Sequence, residues 1–208
     1  MSRYDFLCET YRTERLKTLG VWAQVPDDRM DWRAEPRART PHEHMVHQCV
    51  SEDGWMRKML EIDVSRSVLP SDESRLSFME HYAAVSAERL AALEGKPDSW
   101  YEEEVDFFDV RRSRAWVLTR RLTHSAHHRG QLNAYIRLWG QPLYSTYGPT
   151  ADTGGLPASG ATVIYVARTV EEMLRTVADG DAPPPLPGPG DDAPTERPGV
   201  ATGAGLKS

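Results

Sequence analysis

Cysteine and lysine are both scarce in this chain of 208 residues. Cys8 and Cys49 are the two cysteines and lack CxxC spacing, so a disulfide framework is excluded and both are expected to be reduced, structural residues. Only 4 of the 25 basic residues are lysines, and the net charge is −6. No basic patch with interleaved aromatic residues occurs, which argues against nucleic acid as a partner.

Long apolar runs are missing as well. No stretch reaches 18 apolar residues, and the N-terminus has no apolar segment of the kind found in signal peptides. The chain is therefore expected to be soluble and cytoplasmic, with no membrane partner. The proline- and glycine-rich run at 182–190 and the residues after it show no apolar pattern, so residues 179–208 are predicted to be a disordered tail. Residues 1–178 are expected to form one domain.

Helical periodicity dominates this predicted domain. Apolar spacing predicts helices over residues 5–23, 41–64, 71–94 and 109–139, and a short last helix over residues 170–178. The sequence TPHE at 40–43 is a strong helix start, with a threonine N-cap, a proline at the first helical position and a glutamate at the third. Strands are nearly absent. Four principal helices with a long connection predict an all-α fold, a four-helix bundle.

Three of the seven histidines fall in one stretch, HSAHHRGQ at residues 124–131, within the fourth principal helix. His124 and His128 lie one turn apart on the same face, whereas His127 points about 60° away from His124. The shared face continues along the helix as an apolar stripe and is expected to face a core. An i, i+4 pair of imidazoles offers two nitrogen ligands to a divalent metal. A core-facing histidine is more often a hydrogen-bonded core residue, so both interpretations stay open.

A third metal ligand has to come from elsewhere, and a second group of histidines stands at the start of the second helix. His47 is flanked by apolar residues on the expected buried side and is the best candidate, with His44 in reserve. His42 is expected to be exposed, and His81, alone on the third helix, is expected at the surface. The two groups of histidines therefore predict a site between two helices that are distant in sequence.

The opposite side of the fourth helix carries a second apolar stripe, formed by Ala115, Leu118, Leu122 and Ala126. A helix packed on two faces is either central to its own fold or has a partner chain on its back. The arginines of this region are expected on solvated or interfacial faces: Arg111, Arg112, Arg114, Arg120 and Arg121. The stripe thus predicts a central helix or a dimer interface.

Residues 143–162 form a segment rich in glycine, proline, serine and threonine that is longer than most connections in compact domains. Such a length favours a loop at the edge of a pocket, with a surface loop of no function as the alternative. No GK[ST] sequence follows, so the segment is not a phosphate-binding loop. We expect it to fold over one end of the bundle beside Tyr144. The predicted substrate pocket has four lining residues: Gln131, Tyr135, Trp139 and Tyr147.

Together these motifs resemble the DinB/YfiT-like superfamily of bacterial proteins. The matching sequences are HMVHQCV at 44–50, HSAHHRGQ at 124–131 and RLWG at 137–140, and the resemblance covers about residues 1–178. It implies an antiparallel four-helix bundle, often a homodimer, in which His47, His124 and His128 bind a divalent metal such as zinc or nickel. In the family pattern His127 has no ligand role. Three neutral nitrogens leave an open coordination position, which suits a catalytic site better than a closed structural one.

The resemblance also implies a function, because characterised relatives include transferases and isomerases that use bacillithiol, mycothiol or glutathione. The leading hypothesis is a metal-dependent transferase whose metal holds a thiolate for attack on an electrophile, and the arginine-rich composition favours mycothiol. A second hypothesis, metal-dependent hydrolysis, requires a carboxylate near the metal, for which Glu43, Asp106 and Asp152 are candidates. A third is a binding or stress-response protein whose metal is structural or absent. The sequence names neither the metal nor the substrate.

Overall fold

The computed structural model describes residues 2–190 and Thr195, and its long elements are helices. The helices are α1 (Asp5–Ala23), α2 (Pro41–Lys58), α3 (Arg75–Glu94), α4 (Asp98–Glu102), α5 (Arg114–Leu138) and α6 (Val170–Asp179). Two strands, β1 (Glu104–Phe107) and β2 (Val110–Ser113), form an antiparallel hairpin. None of the described helices is long and apolar enough to cross a membrane. The described part of the chain is mostly helical, with one small sheet.

The hairpin corrects the prediction of an all-α fold, which placed a connector and the first turn of the fourth helix in this region. Its turn lies between Phe107 and Val110, which pair across the two strands. Phe108 in this turn has a φ of 53°, a left-handed conformation that bulky side chains rarely adopt. Periodicity missed the hairpin because each strand has only 4 residues and the turn contains no glycine. The fourth principal helix, α5, therefore begins at Arg114 and not at residue 109.

The start of α2 agrees with the sequence prediction, which rested on a capping signal. Thr40 Oγ1 accepts a hydrogen bond from the Glu43 backbone N–H at 3.1 Å, and the Glu43 carboxylate accepts one from the Thr40 N–H at 2.8 Å. This reciprocal capping box begins α2 at the predicted residue. The helix ends at Lys58 rather than near residue 64, because the next residues turn back and the Ile62 N–H donates to the Met56 carbonyl at 2.8 Å.

The chain divides into two compact units, Met1–Leu132 and Asn133–Ser208, with α5 running from the first into the second. In the first unit α1 packs against α3, and α3 also contacts α2. Leu118 and Leu122 of the second stripe are buried in the core of their own chain, whereas Ala115 and Ala126 are half-buried. The core cluster of this unit consists of Leu7, Cys8, Tyr11, Met56, Leu60, Ile62, Leu90, Leu93, Tyr101, Val117, Leu118 and Leu122.

Two arginines that were predicted on solvated or interfacial faces are buried, which corrects that part of the sequence analysis. Arg114 is 2% exposed and Arg121 is 0% exposed. Arg114 lies 2.5 Å from carboxylate oxygens of both Glu61 and Glu103, so its charge is compensated. Helical periodicity could not reveal this burial, because the compensating carboxylates lie elsewhere in the sequence. The remaining arginines of the group are exposed: Arg111, Arg112 and Arg120.

The second unit contains the long segment 143–162, whose backbone is held by hydrogen bonds within the unit. The Ser145 N–H donates to the Ile164 carbonyl at 2.9 Å, and the Ile164 N–H donates to Ser145 Oγ at 3.0 Å. The Asp152 carboxylate accepts from the Leu143 N–H at 2.8 Å and pairs with Arg137 at 2.6 Å. These contacts give the segment a defined path within its own unit.

The predicted tail, residues 179–208, is described as far as residue 190 and at Thr195. Within this described part the Pro184 carbonyl accepts a hydrogen bond from the Tyr144 hydroxyl at 2.7 Å. The Gly188 N–H donates to the Asp152 carbonyl at 3.0 Å. The rest of the predicted tail lies outside the described residues, and the boundary at residue 178 stays a prediction.

Candidate metal centre

His47 from α2 and His124 and His128 from α5 converge on one point in the first unit. One potential ligand atom of each lies within 4.8 Å of those of the other two. The ring of His128 has its centroid 4.7 Å from that of His47 and 4.6 Å from that of His124. The structure thus brings together the three residues that the sequence analysis selected as metal ligands.

The two histidines of α5 are one helical turn apart, and their Nε2 atoms are separated by 3.3 Å. A tetrahedral site with metal–nitrogen bonds of about 2.0–2.1 Å has nitrogen–nitrogen edges of about 3.3 Å. The separation between His124 and His128 therefore suits two ligands of one tetrahedral ion. His47 approaches the same point from α2, whose start is fixed by the capping box.

Gln131 lies one turn after His128 and completes its surroundings. The Nδ1 atom of His128 is 2.9 Å from Gln131 Oε1, and a carbonyl oxygen accepts hydrogen bonds only. His128 therefore donates from Nδ1, and its Nε2 keeps a lone pair that faces the cluster. Histidines that bind metals usually have such a partner on the other ring nitrogen. The sequence predicts Gln131 at a substrate pocket, which stays a prediction, and this contact makes it a positioning residue for His128 as well.

Trp55 supports His124 from the side. The two rings stack with centroids 5.6 Å apart and an angle of 27° between their planes. Trp55 in turn meets Phe107 of the hairpin edge-on, at a centroid distance of 5.2 Å. The hairpin that sequence analysis missed therefore contributes to the placement of His124. His128 is buried while His47 and His124 are half-buried, so the cluster lies at the edge of the core.

Burial lowers the pKa of all three histidines below the ordinary value of a histidine side chain. The pKa of His124 falls to about 4, through burial and then through the charge of Arg121. Burial, and after it the neighbouring His124 ring, lowers the pKa of His128 to about 3. The pKa of His47 is lowered too, by burial first and next by Arg39. Metals bind the neutral form of imidazole, so at neutral pH none of the three rings carries a second proton that would have to be released first.

His44 and His127 lie beside the cluster. His44, the reserve candidate, is buried with its ring centroid 5.3 Å from that of His128, and burial lowers its pKa to about 4. His127 is exposed, and its ring meets that of His128 at 5.1 Å. Neither belongs to the group whose ligand atoms converge.

The two remaining described histidines have protein partners and were expected to be more exposed than they are. His42 is half-buried, and its Nε2 lies 2.5 Å from a carboxylate oxygen of Glu73. His81 is half-buried as well, with its Nε2 3.2 Å from the Val68 carbonyl oxygen. Both are accounted for by these local contacts, and neither is part of the candidate metal centre.

A buried ion cluster around Glu52 lies next to the histidines and was not predicted from the sequence. Glu52 is 1% exposed and accepts hydrogen bonds from the hydroxyls of Tyr11 at 2.5 Å and Tyr82 at 3.1 Å. The guanidinium groups of Arg89 and Arg121 lie 3.4 Å and 3.6 Å from its carboxylate oxygens. Two cations and two hydroxyls thus offset the cost of burying this carboxylate.

A signal for this cluster was present in the sequence. Glu52 follows Cys49 by three positions and precedes Met56 by four, so it occupies the apolar face of α2. When a charged residue falls on such a face, either the face was assigned wrongly or the residue is buried together with partners that compensate its charge. Helical periodicity identifies the position, but the partners come from other helices and only the folded structure reveals them.

Arg121 connects the ion cluster to the candidate metal centre. Its Nη1 lies 3.2 Å from His124 Nδ1 and donates to Ser51 Oγ at 2.8 Å. Its Nη2 donates to Gln48 Oε1 at 2.8 Å and to Ser125 Oγ at 3.1 Å. The guanidinium is therefore held by residues of both α2 and α5, and its position next to His124 is well defined.

The arginine and glycine of the HSAHHRGQ sequence have different surroundings. Arg129 is buried, pairs with the Glu14 carboxylate of α1 and donates to Thr18 Oγ1 at 2.8 Å. It thereby ties α5 to α1 directly next to His128 in the sequence. Gly130 is exposed, and a Cβ added there would meet no heavy atom of the described residues within 4 Å. Packing among the described residues does not explain this glycine.

Both cysteines are buried and free, as expected for structural residues. Burial raises the pKa of Cys49 to about 12, so its thiol is neutral at physiological pH. The Cys8 sulfur lies 3.3 Å from the Tyr101 hydroxyl inside the core cluster. A buried neutral thiol is a poor nucleophile, so Cys49 does not resemble a catalytic residue.

These features define a helical protein in which two helices bring three neutral histidines to one point, beside a buried ion cluster. The sequence profile of the DinB family matches residues 1–154, and the chain belongs to this family. No curated protein sequence matches the chain.

Two solved structures are similar to the chain in fold. A DinB-like protein from Bacillus cereus ATCC 10987 is 18% identical, with a TM-score of 0.61 over 68% of this chain and 95% of that chain. The DinB-like protein YjoA from Bacillus subtilis is 16% identical, with a TM-score of 0.51 over 65% of this chain and 92% of that chain. At these identities the likeness establishes the fold alone.

Proposed function

We propose that this member of the DinB family is a metal-dependent enzyme in which His47, His124 and His128 bind one divalent ion, zinc or nickel. The observation that carries the proposal is the convergence of their ligand atoms within 4.8 Å. Their lowered pKa values, which keep the rings neutral, and the 3.3 Å between two Nε2 atoms support it. A divalent ion held by three imidazoles keeps an open position and lowers the pKa of a thiol or water there.

The residues around the histidines hold this arrangement in place. Gln131 accepts the Nδ1 proton of His128, which orients the ring and raises the basicity of its other nitrogen. Trp55 covers one face of the His124 ring and keeps water from it. Because His47 and His124 are half-buried rather than enclosed, a small molecule can approach the cluster from their exposed side.

The reaction that we infer is the transfer of a low-molecular-weight thiol, such as mycothiol, bacillithiol or glutathione, to an electrophile. Three neutral ligands leave the charge of a divalent ion uncompensated, which favours an anionic thiolate as the fourth partner. Both cysteines of the chain are buried, so the thiol has to be a co-substrate.

Hydrolysis is less well supported, because each of its three candidate carboxylates has an arginine partner. Glu43 belongs to the capping box of α2 and lies 2.7 Å from Arg33. Asp106 is exposed on the hairpin and pairs with Arg111 at 3.0 Å. The third candidate, Asp152, pairs with Arg137 within the second unit.

Four other parts of the sequence prediction belong to this proposal. The four principal helices α1, α2, α3 and α5 form an antiparallel four-helix bundle, the enzyme is a homodimer, and it acts in the cytoplasm. The substrate contacts four residues that the sequence predicts for this role: Gln131, Tyr135, Trp139 and Tyr147. Sedimentation equilibrium that reports only monomer would contradict the dimer, and alanine variants of these four residues with unchanged KM for both substrates would contradict the substrate contacts.

The alternative is a binding or stress-response protein in which the metal is structural or absent. One observation favours it: His44 is buried with its ring 5.3 Å from that of His128, so a rotation of its side chain would offer a fourth imidazole. A fourth protein ligand would close the open position that catalysis needs.

Elemental analysis of protein purified without an affinity tag, then exposed to zinc or nickel and desalted, tests the metal centre. We expect about one ion per chain, in keeping with the one such cluster among the described residues. The double variant His124→Ala/His128→Ala should lose the ion while its far-ultraviolet circular dichroism is unchanged. His127→Ala is the matched control on the same helix and should keep the ion. Absence of metal from the wild type under these conditions would overturn the proposal.

Thiol chemistry is tested with the loaded protein. Each of mycothiol, bacillithiol and glutathione is incubated with a panel of electrophiles, and consumption of the thiol is followed. Turnover that disappears in the double variant supports the transferase. A tightly bound ion with no turnover for any thiol, lost affinity in His44→Ala and no exchangeable fourth position would favour the structural alternative.

A further inference from the structure

The contact between Arg121 and His124 determines where the protons of the histidine cluster lie. A guanidinium group has five N–H donors and no acceptor, so in this contact His124 Nδ1 is the acceptor and carries no proton. The proton of neutral His124 is therefore on Nε2, from which it is donated to His128 Nε2 at 3.3 Å. His128 in turn donates from Nδ1 to Gln131. The hydrogen bonds run in one direction, from Arg121 through both histidines to Gln131.

This order of protons suits metal binding at one histidine and opposes it at the other. His128 has a bare Nε2 facing the cluster and an Nδ1–H bound by a carbonyl oxygen, as metal-ligating histidines usually do. His124 has its proton on Nε2, the atom that stands 3.3 Å from His128 Nε2. Ligation through Nε2 requires that proton to leave and a proton to be placed on Nδ1, where it would point at an N–H group of Arg121.

We propose that Arg121 regulates the site: it holds His124 in the tautomer that cannot ligate through Nε2, and metal binding requires its Nη1 to leave His124. This inference rests on the proposed three-histidine metal centre. The chain would then bind its metal less tightly than three histidines alone allow, and the affinity would depend on the position of Arg121.

The surroundings of Arg121 allow such a movement in which only the hydrogen bond to His124 is lost. The same Nη1 atom already donates to Ser51 Oγ at 2.8 Å, so it keeps a partner when it leaves His124. The other amino group, Nη2, donates to Gln48 and Ser125 and lies 3.6 Å from Glu52. A small rotation that retains these contacts can therefore separate Nη1 from His124 while the charge of Glu52 stays compensated. The position of the Arg121 guanidinium group is therefore coupled to the buried ion cluster.

The tautomer is measured on the metal-free wild type by long-range proton–nitrogen correlation spectra of protein labelled with ¹⁵N-histidine. We expect His124 to be protonated on Nε2 and His128 on Nδ1. A metal-free His124 protonated on Nδ1 overturns the inference whatever the metal measurements show. Because this measurement needs neither a metal nor a variant, it decides the proton arrangement separately from the proposed function.

The regulation is measured by zinc competition with a chelating dye. Arg121→Gln replaces the donor by a side chain that can accept from Nδ1–H, and we expect tighter binding by about 10–100-fold, the range typical of changed partners of metal-ligating histidines. Arg120→Gln, which removes the charge of an exposed arginine from the same helix and leaves the Arg121 contact in place, is the matched control, expected within about twofold of the wild type. Equal or weaker binding by a folded Arg121→Gln variant overturns the regulatory role. If neither protein binds zinc, the metal centre and its regulation fail together, while the tautomer result stands.

Discussion

Helices α2 and α5 contribute residues to two neighbouring polar clusters. One cluster, around Glu52, consists of paired charges, and the other, around His128, consists of neutral rings. Around Glu52, a buried negative charge is matched by two guanidinium groups and two hydroxyls. Around His128, three rings are kept neutral by burial, and within the described residues no carboxylate forms an ion pair with any of the three. The first cluster is complete without a ligand, whereas the second brings three neutral imidazole rings together at the edge of the core. This difference separates a structural polar cluster from one that is suited to bind an ion.

Arg121 belongs to both clusters, so they are not independent. It contributes positive charge to the carboxylate of Glu52 and a hydrogen-bond donor to the ring of His124. A substitution that moves Arg121 in one cluster therefore also changes its contact in the other. The comparison can be tested by variants that damage one cluster and leave the other.

The largest expected effect is on stability, from Glu52→Leu. The variant leaves Arg89 and Arg121 buried without their shared carboxylate, and breaking a buried ion cluster in this way typically costs about 3–5 kcal/mol. Urea denaturation followed by circular dichroism measures the free energy of unfolding. The control is Glu73→Gln, which removes a half-exposed partner of His42 and should cost less than about 1 kcal/mol. Similar losses in the two variants would contradict the structural role of the Glu52 cluster.

The next effect concerns metal affinity alone. Gln131→Leu removes the acceptor of the His128 Nδ1 proton and should weaken zinc binding by about 10–100-fold. Its stability should change little, because Gln131 is only half-buried. Gln131→Glu, which retains an acceptor at the same distance, should bind at least as tightly as the wild type. Unchanged affinity in Gln131→Leu would mean that this hydrogen bond does not orient a metal ligand.

A smaller effect is expected from pH on the metal-free protein. His124, with a pKa of about 4, and His128, with a pKa of about 3, remain neutral in the folded state where unfolded histidines, with a pKa near 6.5, become charged. Below pH 6.5 the unfolded state therefore binds more protons, and stability falls as the pH is lowered towards the folded pKa values.

Urea denaturation of the metal-free protein at several pH values between 7.5 and 5 tests this dependence. The His124→Asn/His128→Asn double variant should show a shallower decline than the wild type, because two of the groups responsible are gone. An equally steep decline in both proteins would assign the pH dependence to other groups and contradict the lowered pKa values of the cluster.

The smallest expected effect is on the free energy of unfolding, from a substitution at Gly130, an exposed position within α5. Gly130→Ala should stabilise the protein by up to about 1 kcal/mol, because alanine has the higher helix propensity and a Cβ here meets no described atom within 4 Å. Thermal unfolding gives the answer. Destabilisation would indicate that another molecule packs closely at this position, and a concurrent loss of dimer would identify it as a second copy of the chain.

The features that local sequence signals carry were predictable. The capping box at Thr40 and Glu43 sets the start of α2, and the four-residue spacing of His124 and His128 places both rings on one face. Spacing alone could not decide that His47 rather than His44 reaches them, because both stand on the second helix near its start. The structure brings His47 into the converging group and places His44 next to it.

The features that depend on distant partners were not predictable. Arg121 was expected on a solvated or interfacial face, and Glu52 and Gln48 on another helix make its burial favourable. The hairpin was missed because its turn, Phe108 and Asp109, contains no glycine, and its strands are too short for a clear alternation. The burial of Arg121 therefore depends on residues that are distant in sequence, whereas the hairpin depends on an unusual local backbone conformation at Phe108.

The central claim, that the three histidines form one metal site, is tested most directly by anomalous diffraction at the zinc edge from crystals of the zinc-loaded protein. We expect a single strong peak within about 2.0–2.1 Å of one nitrogen of each of His47, His124 and His128. A peak bound by other residues, or no ordered peak in protein that was exposed to zinc, would contradict the claim and leave the three rings as neutral side chains at the edge of the core.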